Sequence, residues 1–211
     1  MNLLGLVQLV DTMGPGTGYQ DCLSIEALAR QGLLRTGQQV LNLVDASLQA
    51  LIGPTQGIAA GIAFRAARLG DPALVPAVSQ VLSGDQFPQS FRFASLQMGT
   101  RLWEISRRWN WTQPVHEQFD PLMPQAGVHE GVAFGALVSE TTAHEVRAVA
   151  ACLLQAARGI IEAAVRAIPL EEAMNHRLLA QAQPLISRMA ADFAQHNLPD
   201  IQCSKFNFPT L

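Results

Sequence analysis

Apolar residues recur at spacings of three and four along almost the whole chain, whereas stretches that alternate between apolar and polar residues are scarce. Spacings of three and four place apolar side chains on one face of an α-helix, while alternation is typical of a half-buried strand. The sequence therefore predicts an all-α fold, a bundle of about ten helices in a single domain. The expected helices cover residues 3–9, 22–33, 37–51, 55–69, 72–83, 88–109, 115–123, 128–139, 142–167 and 171–196.

The segment 142–167 is apolar almost all round, which is typical of a helix in the middle of a bundle. It is expected to end before Pro169, because a residue that precedes proline is disfavoured in the α region. Four charged residues interrupt the segment: Arg147, Arg158, Glu162 and Arg166. Each would be costly in lipid, so the segment is interpreted as a core helix rather than a membrane span.

Turn and capping residues mark boundaries between the helices. Gly53-Pro54 predicts a turn between two of them. Thr36 is expected to cap the helix that follows it. Thr142, with Glu145 three residues later, fits a capping box and predicts that the next helix starts there.

Residues 1–196 show no composition shift, linker or repeat, so they are predicted to form one helical domain. Residues 197–211, NLPDIQCSKFNFPTL, lack helical periodicity and carry the apolar residues Ile201, Phe206 and Phe208. A polar disordered tail would not carry such anchors. The tail is interpreted either as a strap on the chain's own domain or as a segment that orders on a partner.

Composition limits the classes of function. Hydrophobic residues make up 49% of the chain and charged residues only 15%, which predicts a large core or an apolar surface for partners. The net charge is −3 and no basic stripe occurs, so nucleic-acid binding is not expected. Cys22, Cys152 and Cys203 are far apart and form no CxxC pair, which favours a reducing, cytoplasmic setting.

The pair His129-Glu130 suggests a reactive or metal-binding site. On a helix, however, sequence neighbours point roughly 100° apart and do not converge on one ion. The histidines form no HxH or HExxH motif, and neither Cys22 nor the loop Gly14–Gly18 lies in a nucleophile or phosphate-binding motif. The residues alone therefore predict no catalytic site, no resident metal and no cofactor.

Small residues follow this pair. Gly131, Gly135 and Ala136 would leave a low surface on their helix. Such a surface favours close approach by another helix, either the one at 142–167 or one in a second subunit.

Several stretches, in order along the chain, resemble one family. VQLVDTMGPGTGYQDCLSIE matches a family segment of the form LQL(A/S)SPxLPVGxFxYSxGLE without a gap. Residues 97–102 match QMGRxLLxL, and residues 129–135 match HxxVAFG. GIIEAAVRAIPLEEAMNHRLL matches NxVxAAVRLxPLGQTxGQRLL, and Pro199-Asp200-Ile201 resembles the family's PxxDIA. On these motifs the chain is identified as a divergent member of the urease accessory protein UreF family.

The resemblance implies a non-enzymatic scaffold in nickel delivery to urease. UreF-like proteins are helical and dimerise. They bind the accessory protein UreH, also called UreD, and the GTPase UreG, and the complex passes nickel to apo-urease. The same role is therefore expected of this chain.

The resemblance also assigns residues to surfaces. Glu26 and Arg166 fall on charged positions that face the GTPase, although both also fit ordinary solvated charges. Four residues fall in the tail that docks on UreH in the family: Asp200, Ile201, Lys205 and Phe206.

The chain departs from the family in the loop 11–21 and in the segment 171–176. Asp11 replaces a serine, Asp21 replaces a tyrosine, and EEAMNH replaces GQTxGQ. These changes fit either a divergent member whose partners have changed with it or a paralogue that lost part of the interface. An alternative hypothesis is a helical metal-binding or small-molecule-binding protein that uses three histidines: His129, His176 and His196.

Overall fold

Every regular element in the part of the chain that the structure describes is helical, which confirms the all-α prediction. The computed structural model describes residues 2–12, 18–124, 126–171 and 173–202. The α-helices are α1 Leu3–Thr12, α2 Tyr19–Cys22, α3 Ile25–Arg30, α4 Gly37–Ser47, α5 Ile58–Leu69, α6 Leu74–Leu82, α7 Gln89–Ser106, α8 Gln113–Phe119, α9 Glu130–Val138, α10 Glu145–Ala167 and α11 Met174–Phe193. A π-helix, Leu48–Gly57, joins α4 to α5, and 3₁₀ turns cover Asn110–Thr112, Asp120–Leu122 and Leu198–Asp200.

The long apolar helix α10 lies at the centre of the bundle. It packs against α11, α5, α9, α4 and the π-helix, and Val149, Leu153 and Ile160 are fully buried. By length and composition α10 could cross a membrane, but 72% of its most apolar 18-residue window is buried inside the protein. Burial on that scale is the pattern of a core helix.

The chain does not turn at Gly53-Pro54, so this prediction is wrong. Instead, α4, the π-helix and α5 follow one another without a break. π-helical turns occur as local irregularities inside α-helices and are often found at functional sites. Because Leu51–Gly57 are buried, the backbone groups around Pro54 need partners inside the protein. The carbonyl oxygen of Pro54 accepts the backbone N–H of Gln202 at 3.3 Å.

Thr36 caps α4 as predicted, but Thr142 does not cap α10. The Thr36 hydroxyl oxygen accepts the Gln39 N–H at 3.3 Å, and the Gln39 side chain accepts the Thr36 N–H at 3.1 Å. α10 begins only at Glu145, with His144 before it. Thr142 is buried, and its hydroxyl oxygen accepts the His144 N–H at 3.2 Å. Because the Thr142 hydroxyl is engaged in this local turn, it does not cap a helix, and α10 begins at Glu145 rather than at residue 142.

The helix α9 packs closely against α5 and the π-helix through its glycines. A β-carbon on Gly131 would lie 2.4 Å from the carbonyl oxygen of Gln56, and one on Gly135 would lie 2.1 Å from that of Ala60. Ala136 is fully buried on the same helix. Only glycine permits so close an approach of two backbones. The helix that approaches this low surface is α5, whereas the sequence pointed to residues 142–167 or a second subunit.

Candidate functional site

His129 is buried at the start of α9, and both of its ring nitrogens are engaged. Nε2 lies 2.9 Å from the Ser83 hydroxyl oxygen, and Nδ1 lies 3.0 Å from that of Ser95. Burial lowers the pKa of His129 to about 4, so the ring is neutral near pH 7. A neutral imidazole has one donor and one acceptor nitrogen, which matches two hydroxyl partners. His129 therefore fastens the first turn of α9 to α7 and to the end of α6.

The three histidines of the alternative hypothesis do not converge on one ligand. His176 lies in the first turn of α11 and His196 lies just beyond its last residue, so most of this helix, about 30 Å, separates them. Both nitrogens of His129 face serines. Among the described residues, no group of three or more His, Cys, Asp or Glu side chains is placed to hold a metal ion.

Glu130, next to His129, forms a buried polar cluster with side chains from α2 and α10. The Tyr19 hydroxyl donates to Glu130 Oε2, and the side chain of Gln155 on α10 lies beside the same carboxyl group. Glu130 is only 1% exposed, and burial raises its pKa to about 7. Burial and the neighbouring carboxyl also raise the pKa of Tyr19 well above its ordinary value. The cluster joins α2 to α9 and α10, two helices that are distant from it in sequence.

The sequence did not reveal this cluster, because Tyr19 and Glu130 are 111 residues apart. The divergence of neighbouring helical positions did indicate that His129 and Glu130 would not act together. The local sequence carries one hint, which is a glutamate in a helix, α9, whose other residues are small or apolar. Such an acid, if buried, needs a partner from elsewhere in the fold.

Glu26 and Arg166, which the resemblance assigns to one surface, lie at the surface on neighbouring helices. Glu26 is on α3, and Arg166 is exposed in the last turn of α10, against which α3 packs. Glu26 also lies 3.9 Å from Arg30, with both side chains largely exposed. Exposed ion pairs of this kind contribute little to stability. Both side chains are exposed to solvent.

Arg65 of α5 holds the chain where α11 ends. Its guanidinium donates to the carbonyl oxygen of Ala194 at 3.0 Å and to that of His196 at 2.8 Å. It also pairs with Glu145 at the start of α10. This one side chain therefore fixes the point at which the C-terminal segment leaves the bundle.

Residues 197–202 then fold back on the domain. The Asp200 carboxylate accepts a backbone N–H of the same segment at 2.8 Å, and Ile201 is 5% exposed within the core. Of the two residues that the resemblance assigns to the partner-binding tail, Ile201 thus packs in its own domain, whereas Asp200 is exposed and bonds within the segment. Lys205 and Phe206 lie outside the described residues.

A groove with a volume of about 410 Å³ lies between α1, α10 and α11. Its apolar lining comprises Val10, Leu154, Ile161 and Leu179. The charges at the groove pair with one another, since Arg158 lies 2.6 Å from Asp11 and 2.8 Å from Glu162. Asn175 and His176, from the segment that departs from the family, also line it. Residues 13–17 and 172 lie outside the described residues.

The sequence of this chain also matches a known protein family. The model of the UreF family matches residues 34–183, which is more than half of the chain. The chain belongs to the UreF family. The matched region runs from before α4 into α11, so it includes Arg166, the α9 glycines and Glu130 but not Glu26 or the C-terminal segment.

UreF proteins of several bacteria are similar over nearly the whole chain. The urease accessory protein UreF of Paenarthrobacter aurescens (strain TC1) is 27% identical over 186 residues, which are 87% of this chain and 80% of the relative. That of Arthrobacter sp. (strain FB24) is 28% identical over 181 residues, which are 85% and 77%. That of Bacillus sp. (strain TB-90) is 20% identical over 195 residues, which are 92% and 86%. The chain thus spans most of the length of these UreF relatives.

Proposed function

We propose that this chain is a scaffold of the urease maturation complex and has no catalytic activity of its own. It binds a UreH/UreD-like accessory protein and a UreG-like GTPase in the cytoplasm while nickel is delivered to apo-urease. The observation that carries the proposal is membership of the UreF family, together with similarity to urease accessory proteins along most of the chain. His129 and Glu130 support it, because the structure uses both internally.

The two partners are assigned to separate surfaces. The GTPase meets the face formed by α3 and the end of α10, where Glu26 and Arg166 are exposed. Arginine suits such an interface because its planar guanidinium pairs well with carboxylates. The UreH-like protein takes the C-terminal tail that starts at residue 197, with Lys205 and Phe206 as its contacts. Asp200 and Ile201 join them if the segment 197–202 detaches from its own domain.

We further propose a homodimer in which the second copy covers α1. Leu3, Leu4 and Val7 are exposed on this helix, beside the groove between α1, α10 and α11. A two-fold dimer sets one patch against its own copy, so the patch must complement itself in shape and charge. The α1 face offers a ridge of apolar side chains next to a groove, and Arg158 is already paired with acids of the same chain.

Co-purification with both partners tests the scaffold. Affinity-tagged chain is co-expressed with a UreH-like and a UreG-like protein, and retention of each is measured. A chain that ends at Gln202 keeps Ile201 in the core but lacks the rest of the tail, and it is expected to lose at least about tenfold of the UreH-like protein. The double charge reversal Glu26→Lys with Arg166→Glu is expected to lose the GTPase and to retain the UreH-like protein.

Arg108→Glu is the matched control, because Arg108 is an exposed arginine that follows α7 and belongs neither to α3, nor to α10, nor to the tail. It should retain both partners. If neither partner co-purifies with the unaltered chain, the proposed function is wrong. If the chain that ends at Gln202 retains the UreH-like protein in full, only the assignment of the tail is wrong.

A further inference from the structure

The Arg65 side chain completes the hydrogen bonding at the C-terminus of α11. Carbonyl oxygens at the end of a helix have no partner within the helix and need one from elsewhere. The guanidinium donates to the carbonyl oxygen of Ala194 at 3.0 Å and to that of His196 at 2.8 Å. It also donates to the side-chain oxygen of Asn197 at 3.3 Å and pairs with Glu145. Because a guanidinium presents five donors in a fixed plane, one side chain can serve all these acceptors.

The segment 197–202 is attached to the domain at its other end as well. Ile201 is 5% exposed within the core, and the Gln202 N–H donates to the carbonyl oxygen of Pro54 at 3.3 Å. The 3₁₀ turn between these ends packs against α5. The segment is thus held along its whole length, although its polar residue Asp200 remains exposed.

Detachment of this segment would break contacts that buried groups need. The carbonyl oxygen of Pro54, a buried residue, would lose the N–H of Gln202, and the side chain of Ile201 would enter water. Unpaired buried polar groups and exposed apolar side chains are both unfavourable. The contacts within the chain therefore favour a segment that stays attached while the residues after it bind a partner.

We propose that Arg65 is a positioning residue for the C-terminal tail, which keeps residues 197–202 attached to the domain while residues 203–211 bind the UreH-like protein. The tail then starts from a fixed point, so fewer residues lose their freedom on binding. A smaller loss of conformational freedom gives a higher affinity. The attachment stands on contacts within the chain, whereas its effect on affinity rests on the proposed function.

Hydrogen exchange of the partner-free protein tests the attachment. Arg65→Met removes the donors, and the protection of residues 197–202 should fall at least about tenfold. Arg65→Lys keeps the charge beside Glu145 without the planar fork of donors, so it should recover only part of the protection. Arg68→Met is the matched control, because Arg68 is an exposed arginine of the same helix that interacts with Glu140. It should leave the protection unchanged.

The dissociation constant of the complex with the UreH-like protein tests the positioning. Arg65→Met should raise it at least about tenfold, because the released segment must be ordered again on binding. Arg65→Lys should give an intermediate value, and Arg68→Met should match the unaltered protein. If the segment instead left the domain in the complex, Arg65→Met would bind more tightly, since the release would already have occurred. Tighter binding, or an unchanged dissociation constant, would overturn the proposal.

The unaltered complex provides a test that does not depend on the folding of a variant. The protection of Ile201 and Gln202 should be retained when the UreH-like protein binds, and its loss would show that the segment detaches. Full protection of the segment in partner-free Arg65→Met protein would show that Arg65 does not hold it. If the unaltered chain binds no UreH-like protein while Arg65→Met still loses protection, the proposed function and the positioning role are wrong, and only the attachment stands.

Discussion

At the scale of single residues, three consecutive positions at the start of α9 serve three different neighbours. His129 bonds to Ser83 and Ser95, Glu130 bonds to Tyr19, and Gly131 donates its N–H to the side chain of Gln56 at 2.7 Å. Successive helical positions point about 100° apart, so neighbours in sequence meet different elements. The glycines contribute space rather than chemistry.

Two glycine substitutions test the close packing of α9. Gly135→Ala places a β-carbon 2.1 Å from the Ala60 carbonyl oxygen, and backbone cannot move aside as a side chain can. We expect the free energy of unfolding to fall by about 3 kcal/mol. Gly159→Ala in α10 is the matched control, because its β-carbon would meet nothing within 4 Å.

Gly159→Ala is expected to raise the free energy of unfolding by about 1 kcal/mol, since alanine favours a helix more than glycine does. Urea unfolding of both variants measures the difference. Equal stabilities for the two variants would contradict the packing described for α9.

At the scale of elements, α1 and α10 are both rich in apolar residues but differ in position. Both are apolar on most sides, yet α10 is the core helix whereas α1 exposes Leu3, Leu4 and Val7. A helix that is apolar all round is normally covered. The exposed apolar face of α1 therefore indicates a surface that another protein covers, and we propose that this is a second copy of the chain.

Leu4→Arg tests this dimer, because Leu4 is 83% exposed in the protomer and its replacement costs the fold little. Two arginines brought together at a two-fold contact would repel each other and lose apolar burial. We expect the affinity of the dimer to fall at least about 100-fold, as measured by light scattering and ultracentrifugation. Leu69→Arg, at a leucine that is 79% exposed on α5, should remain dimeric. A dimeric Leu4→Arg protein would place the interface elsewhere.

At the scale of the whole molecule, His129 and Glu130 give opposite pH dependences to stability. The pKa of Glu130 is raised from 4.5 to about 7, so its contribution is lost as the pH rises through that range. The pKa of His129 is lowered from 6.5 to about 4, so its contribution is lost as the pH falls through that range. Each amounts to about 3 kcal/mol, and the two nearly cancel where the ranges overlap.

Single variants should therefore expose each dependence. Relative to the unaltered protein, Glu130→Gln should gain stability as the pH rises from about 4.5 to about 7, and His129→Gln should gain stability as the pH falls from about 6.5 to about 4. Urea unfolding at a series of pH values measures both. Variant curves that run parallel to that of the unaltered protein would show that neither residue titrates as its burial predicts.

Three features could be predicted from the sequence alone: the helical class, the cap at Thr36 and the family. These depend on periodicity, on a hydrogen bond between residues three apart, and on motifs read in order along the chain. They are local properties that tertiary contacts did not override.

The roles of Gly53-Pro54, Thr142 and Glu130 depend instead on contacts that form when the helices pack together. Gly53-Pro54 usually marks a turn, but burial of the surrounding residues keeps the chain helical there. The backbone N–H of Gln202 donates to the carbonyl oxygen of Pro54. The Thr142 hydroxyl oxygen accepts the His144 N–H in a buried turn. Glu130 is paired with Tyr19 across 111 residues. In each case a buried polar group needs a partner, and the fold rather than the neighbouring sequence supplies it.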